Sequence, residues 1–369
     1  RMAKAKSGDW WRTEGQRALA NNSVAYTEKP DFESFLSEMQ TMYESKAGER
    51  GIFSRVAAQK IAARNGRRDA EHDFGTNPCS EIILRSNQFC NLSEVVVRAD
   101  DTLKTLKAKV EVAAMIGTLQ ATLTDFRYLR NLWKRNTEEE ALLGLSMTGI
   151  MDHPVIGSAS DKTEQWLEEL KDVAVKTNKK WAEKLGINQS VAITCVKPSG
   201  TVSQLVDSAS GIHPRFSDNY IRRVRSDKKD PLAVFMQAAG FPVEQDVMST
   251  ESLVFGFPVK SPKGSVTVKQ VGAMEQLKLW KAYQDHWCEH KPSITVYYTD
   301  DEFLQVAQWI WENFDTISGI SLLPVSDHVY QQAPYEDISA EEYKRLLAEM
   351  PKGVDWNDLV HFEQEDNTT

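Results

Sequence analysis

An amphipathic helical period runs from Asp161 to Leu185, and the chain beyond it alternates short apolar β runs with helical stretches. That alternation constrains the fold most. Strands that take turns with helices are covered on both faces of a largely parallel sheet, so the expected class is α/β, with a barrel as its closed form. The β runs fall at 191–196, 220–224, 252–257, 294–298 and 317–323, with a helix over 302–313. Upstream, Phe32, Phe35, Leu36, Met39 and Met42 share one helical face, and 53–64 reads as a second helix. Residues 65–78 read as loop, 93–98 as a buried strand, and 102–118 and 119–134 as helices. Thr137 with Glu140 matches a capping box and predicts a helix running to 147.

The chain has 369 residues, 41% of them hydrophobic, which suffices for one large core or two modest ones. Its net charge of -9 argues against a broad electrostatic grip on nucleic acid. No apolar run approaches the roughly 18 residues of a membrane span. The start, Arg1 then Met2, shows no basic region leading into an apolar stretch, so the expected compartment is the cytoplasm. The four cysteines, Cys79, Cys90, Cys195 and Cys288, include no C-x-x-C pair, which excludes a zinc ribbon or a thioredoxin-type motif. No metal site is expected. His286, Cys288 and His290 are spaced i, i+2, i+4, which on a helix turns the middle member away.

One segment concentrates chemistry. In Asn77-Pro78-Cys79-Ser80-Glu81 a thiol lies between an amide and a carboxyl group at i-2 and i+2. In an extended loop the three side chains share one side. The thiol can donate a hydrogen atom or act as nucleophile, and the carboxylate can act as base. An inert cysteine in a solvated loop fits the spacing equally well. Cys90 precedes the 93–98 strand and reads as a redox thiol or a small buried hydrophobe. Pro198-Ser199-Gly200-Thr201-Val202 follows a strand and opens a helix, where backbone N–H groups can bind phosphate. Cys195 reads as core, and Arg222, Arg223 and Arg225 as a solvated strand edge.

The run Asn77-Pro78-Cys79-Ser80-Glu81-Ile82, followed by Phe89-Cys90-Asn91-Leu92-Ser93-Glu94-Val95, resembles the finger loop and next strand of class II ribonucleotide reductases. Further ordered blocks resemble the same family: Gly48-Glu49-Arg50-Gly51-Ile52-Phe53, Ser146-Met147-Thr148-Gly149, Lys197-Pro198-Ser199-Gly200-Thr201, Gly211-Ile212-His213-Pro214-Arg215-Phe216 and Trp287-Cys288-Glu289-His290. Arg17-Ala18-Leu19-Ala20-Asn21-Asn22-Ser23 and Tyr330-Gln331-Gln332-Ala333-Pro334-Tyr335 extend the likeness to both ends. The resemblance is nearest to the monomeric, adenosylcobalamin-dependent type.

The resemblance implies a reaction and roles. Ribonucleotides would be reduced to 2'-deoxyribonucleotides by a thiyl radical at Cys79. Glu81 would take the 3'-hydroxyl proton, Asn77 would bind the ribose, and Cys90 would be one of two reducing thiols. Pro198, Ser199, Gly200, Thr201 and Val202 would bind substrate phosphate, and Asn22 and Ser23 would line the chamber near base or ribose. The implied cofactor is adenosylcobalamin, and an external dithiol such as thioredoxin would restore the thiols. The substrate would be a ribonucleoside triphosphate or diphosphate, the triphosphate favoured.

The implied fold is a ten-stranded α/β barrel. Residues 1–75 would end its first half, 76–92 form the finger loop, 93–361 the second half-barrel and 362–369 a polar tail. No cysteine precedes Cys79, so the partner of Cys90 and the upstream half are expected either on a second polypeptide, as in a split enzyme, or on an upstream part of a longer chain. Two other readings stand beside this one. The chain could be a catalytically silent assembly fragment, or the catalytic half of a class I type enzyme with a separate metal subunit. The strand at 317–323 carries no tyrosine pair, which favours adenosylcobalamin.

Overall fold

The amphipathic period forms the helix Asp161–Leu185 in a computed structural model of the chain. The structure describes residues 14, 16–17, 23–46, 48, 51–325 and 332–363. Ser160 caps the helix by accepting from the Thr163 N–H, and Gly186 ends it at φ +67, a left-handed conformation that glycine adopts without steric cost. Its buried face, with Leu167, Leu170 and Ala174, packs on the helix Leu103–Gln120, which contributes Leu106, Val110 and Ala114. Asn178, buried in that helix, is satisfied by Thr118 Oγ1 at 3.0 Å and Ser190 Oγ at 2.9 Å.

The strands in chain order are β1 (Ser23–Tyr26), β2 (Gly51–Ser54), β3 (Gly75–Thr76), β4 (Ile83–Leu84), β5 (Asn91–Val96), β6 (Leu143–Thr148), β7 (Asn219–Asp227), β8 (Val243–Gln245), β9 (Ser252–Lys260), β10 (Thr295–Tyr298), β11 (Gly319–Pro324) and β12 (Tyr335–Asp337). They fall into two compact units.

The first unit spans 23–215 and 268–325 among the described residues. One sheet has the order β1-β2-β11-β10. β1 runs parallel to β2 and β10 to β11, while β2 and β11 meet antiparallel, with Ile52 opposite Ile320. β5 and β6 form a second, parallel pair, continued by bridges from Leu145 to Thr194 and from Val196 to Pro292. β3 and β4 form a short antiparallel ribbon. The class is α/β, as expected, but the sheets are mixed rather than largely parallel, and none is closed among the described residues.

Three local expectations fail. Residues 119–134 are not one helix, since the first helix ends at Gln120 and the next is Asn131–Glu140. Thr137 and Glu140 lie in the last turn of that helix instead of starting one. Thr137 Oγ1 accepts from the Phe89 N–H, and Glu140 is drawn to Arg68, so both side chains serve partners far along the chain. The run that follows is buried on every residue of β6, which a strand between two neighbours satisfies and an amphipathic helix does not. The 191–196 segment contributes only single bridges.

The second unit comprises 216–267 and 332–363, inside the stretch read from sequence as one half-barrel. Its sheet, β12-β7-β9-β8, is antiparallel throughout. Ala233, Phe235 and Met236 of the helix Pro231–Ala238 pack with Phe255 beneath it. Phe362, expected in a polar tail, lies within the helix Leu359–Glu363 and meets Phe235 at 5.4 Å between ring centroids. Residues 364–369 lie outside the described residues. The three arginines of β7 are engaged, not merely solvated. Arg223 pairs with Glu336 and Arg225 with Asp246, and Arg222 stacks on Tyr335. Among the described residues no helix is long and apolar enough to cross a membrane.

Candidate active site

The cysteine loop leaves the β3–β4 ribbon as a tight turn, not as the extended segment expected. The Ser80 N–H donates to the Asn77 carbonyl at 2.9 Å, with Pro78 and Cys79 as the central residues. Pro78 presets the first corner, and Ser80 leaves the turn at φ +66. Asn77 then works inward. Its Oδ1 accepts from the Ile82 N–H at 3.0 Å, and its Nδ2 donates to Glu81 Oε1 at 2.8 Å. The turn thus gathers Asn77 and Glu81 by hydrogen bonding, while Cys79 at the corner is exposed.

A buried carboxylate needs donors. Glu81 is fully buried, and Lys197 Nζ donates to its Oε1 at 2.7 Å. Burial works against the charge on Lys197, yet the hydrogen bond and charge of Glu81 raise its pKa overall. Glu81 Oε2 has no partner among the described residues, which leaves one buried acceptor for an incoming hydroxyl. Partial burial raises the Cys79 pKa, the Glu81 charge adds to this, and Lys197 offsets part of it. The resting group is therefore a thiol, the form that can give up a hydrogen atom.

Cys79, Ser80, Ser23, Pro198, Lys291 and Gly319 are among the walls of a cleft of about 210 Å³. Asn77, Glu81, Cys90 and residues 199–202 are not in its lining. Cys90 sits just before β5, with its sulfur close over Gly144 of β6, and burial pushes its thiol pKa up. Cys79 and Cys90 are both free thiols. Ser199 takes φ +56 and donates to Glu94 Oε2 at 2.7 Å. The helix opened by this loop is only Val202–Leu205, so its dipole is far smaller than the sequence suggested. Asn22 lies outside the described residues, as does Asn21. Cys195 is wholly buried.

The histidine and cysteine cluster disperses. His286 faces Glu168, and Cys288 is buried in the core. His290 Nδ1 accepts from the Ile83 N–H at 3.3 Å, and Nε2 lies 2.9 Å from the Leu143 carbonyl, to which it donates as the neutral tautomer. That ring ties the cysteine ribbon to β6. Burial lowers its pKa from 6.5 to about 3. The unfolded chain therefore takes up a proton that the folded chain refuses. Stability from this group is complete above pH 6.5 and declines as pH falls from there toward 3. Between pH 7 and pH 5 we expect a loss of about 2 kcal/mol from it. Urea unfolding at both pH values should show a smaller loss in His290→Gln, and an unchanged loss would refute the assignment.

Lys197 and Lys291 were not among the residues expected at the site. Lys197 abuts the Pro198 loop, which was a usable signal. Nothing in the sequence marks Lys291.

No protein-family model matches the chain. Among curated proteins, the adenosylcobalamin-dependent ribonucleoside-triphosphate reductase of Lacticaseibacillus paracasei is 28% identical over 365 residues, covering 90% of this chain and 48% of that protein. The same-named protein of Levilactobacillus brevis is 28% identical, covering 92% and 48%. The chain is similar over nine-tenths of its length to adenosylcobalamin-dependent ribonucleoside-triphosphate reductases. A crystal structure of a B12-dependent, class II reductase superposes with a TM-score of 0.69 at 23% identity, over 98% of this chain and 55% of that one. That likeness shows a shared fold. The chain spans about half the length of the curated class II reductases it matches.

Proposed function

We propose that this chain supplies the radical-cysteine turn and part of the reaction chamber of an adenosylcobalamin-dependent ribonucleoside-triphosphate reductase. The observation that carries the reading is the turn itself: Asn77 and Glu81 are joined by a hydrogen bond across it, and Cys79 at its corner lines a cleft that Pro198 and Ser23 also line. The named class II relatives support the same reading.

In the proposed reaction a thiyl at Cys79 takes the 3'-hydrogen of the ribose, forming S–H and a carbon radical. Glu81 accepts the 3'-hydroxyl proton through Oε2, its unpartnered oxygen, and Asn77 holds the other oxygen in place. The 2'-carbon–oxygen bond breaks and the oxygen leaves as water with a proton from a thiol. A dithiol with Cys90 as one member supplies two electrons and its second hydrogen to the 2'-carbon, forming the new C–H bond, and ends as a disulfide, while Glu81 returns its proton to the 3'-oxygen. Cys79 then returns the hydrogen to the 3'-carbon and is again a thiyl. An external dithiol of the thioredoxin type reduces the disulfide. Residues 198–202 receive the phosphates, with Ser199 anchored on Glu94.

Adenosylcobalamin, when bound, would supply the radical equivalent that removes the hydrogen atom of the Cys79 thiol. The residues fit that source. Cys79 is exposed at the cleft, open to a large external group. β11 carries no tyrosine, Tyr298 is buried against Phe303, and neither Tyr297 nor Tyr298 lines the cleft. This favours adenosylcobalamin over a radical relayed from a separate metal subunit.

The ten-stranded barrel belongs to the proposal as well. The β1-β2-β11-β10 sheet and the β5-β6 pair would be arcs of it, completed by strands of a longer chain or of a second polypeptide. The test is turnover. Full-length protein given a ribonucleoside triphosphate, adenosylcobalamin and a dithiol should form 2'-deoxynucleotide, and omitting adenosylcobalamin should stop it. A complete, cobalamin-loaded protein that forms none would overturn the reading.

A further inference from the structure

Buried and half-buried cations of the first unit sit against carboxylates. Arg68 meets Glu140 at 2.8 Å, Arg67 meets Glu289 at 2.6 Å, Lys197 meets Glu81 at 2.7 Å, and Arg215 meets Asp152 at 3.0 Å. Lys291 departs from this rule. It is 1% exposed, and no carboxylate oxygen lies within ion-pair distance of its Nζ among the described residues. Its ammonium donates instead to Ser80 Oγ at 2.8 Å, one residue past Cys79. A lysine is costly to bury without a countercharge, so its place needs a reason.

Three contacts converge on the cysteine turn from 291–293. Lys291 N–H donates to the Glu81 carbonyl at 3.2 Å, Lys291 Nζ holds Ser80, and Ser293 Oγ donates to the Cys79 carbonyl at 2.7 Å. The space for the ammonium is made by β11. A Cβ on Gly319 would stand 1.9 Å from Lys291 Nζ, so any side chain there would evict it. Ser80 is also the residue that leaves the turn at φ +66, a conformation disfavoured for serine that needs outside support.

We propose that Lys291 is the positioning residue of the Cys79 turn: its ammonium, walled in by Gly319, clamps Ser80 and so holds the thiol on the cleft. The idea deepens the reductase reading and rests on it for its catalytic consequence, but the clamp itself can be tested without turnover. Burial pulls the Lys291 pKa down to about 7, opposed by the charge of Glu81. The charged groups acting on Cys79 itself are Glu81 and Lys197. The clamp adds a mechanical effect, since it fixes the turn and so keeps the exposed thiol near Glu81, whose charge helps raise its pKa.

The test is alkylation of Cys79 by iodoacetamide in the full-length protein, read by peptide mass spectrometry against pH. With the clamp intact, reaction should be slow and its midpoint high. In Lys291→Met the turn should loosen, the midpoint should fall by about one pH unit, and the rate at pH 8 should rise several-fold. Ser80→Ala removes the same hydrogen bond from the other side and should give the same shift, which keeps the test decisive if Lys291→Met does not fold. A profile unchanged in a folded variant overturns the clamp. Where the wild-type protein turns over, either variant should lower kcat with KM retained. A wild-type protein without turnover but with the shifted profiles would refute the reductase reading and leave the clamp standing.

Discussion

Cys79→Ser in the full-length protein is expected to lower 2'-deoxynucleotide formation by at least about a thousand-fold. An alcohol O–H bond is far stronger than a thiol S–H, so serine can neither lose its hydrogen to the radical source nor exchange one with the ribose. The structure should survive. The turn is held by the Cys79 carbonyl, by Ser80 and by Asn77, none of which uses the sulfur. The thiol is exposed, and the thermal midpoint should move by no more than about 2 °C. Deoxynucleotide assay and thermal unfolding on the same preparation separate the two effects. Retained turnover would show that Cys79 is not the reacting group and that the turn has another use.

The largest stability effect is expected at Arg68. Its Nε and Nη2 grip Glu140 at 3.0 and 2.8 Å, its guanidinium lies 4.6 Å from the Phe74 ring centroid, and Gln88 donates to the same carboxylate. The two side chains are 0% and 5% exposed. Arg68→Ala would leave the buried Glu140 charge with the Gln88 amide and with Arg85, whose Nη1 is 3.9 Å away, and should cost about 3 kcal/mol in urea unfolding. Arg68→Met combined with Glu140→Leu should recover much of that loss, because two apolar side chains leave no charge unpaired. The knot joins the loop before the cysteine turn, the segment after it and the end of Asn131–Glu140. Its loss should therefore also lower activity. A cost below about 1 kcal/mol would mean that water reaches the pair and screens it.

The parts of the fold that read correctly from sequence are those decided within a few residues. The helix Asp161–Leu185 carries its own cap, its own stop and a continuous apolar face, so its bounds needed no tertiary information. Thr137 and Glu140 show the opposite. Their spacing satisfies a capping box, but Glu140 is claimed by Arg68, 72 residues away, and the local signal loses to a buried ion pair. The Cys79 segment was legible in composition and not in shape. Pro78 followed by two small residues is equally good turn chemistry, and in the fold Ser80 takes φ +66 with its hydroxyl held by Lys291. That contact spans 211 residues of sequence, and the Lys197–Glu81 contact spans 116. No period or motif encodes such pairs, so Lys291 became visible only in the fold, and Lys197 was marked only by its place beside Pro198. The helix expected after Pro198-Ser199-Gly200-Thr201 does form, but it is four residues long, so a helix dipole contributes little there.

The most direct measurement is a competition between ordinary and 3'-deuterated ribonucleoside triphosphate in the full-length, cobalamin-loaded protein. Hydrogen abstraction by a Cys79 thiyl predicts that the 3'-deuterated substrate is consumed more slowly and that deuterium at the 2'-carbon has no comparable effect. Equal consumption of the two, or discrimination only at the 2'-carbon, would contradict a thiyl at Cys79 acting on the 3'-hydrogen.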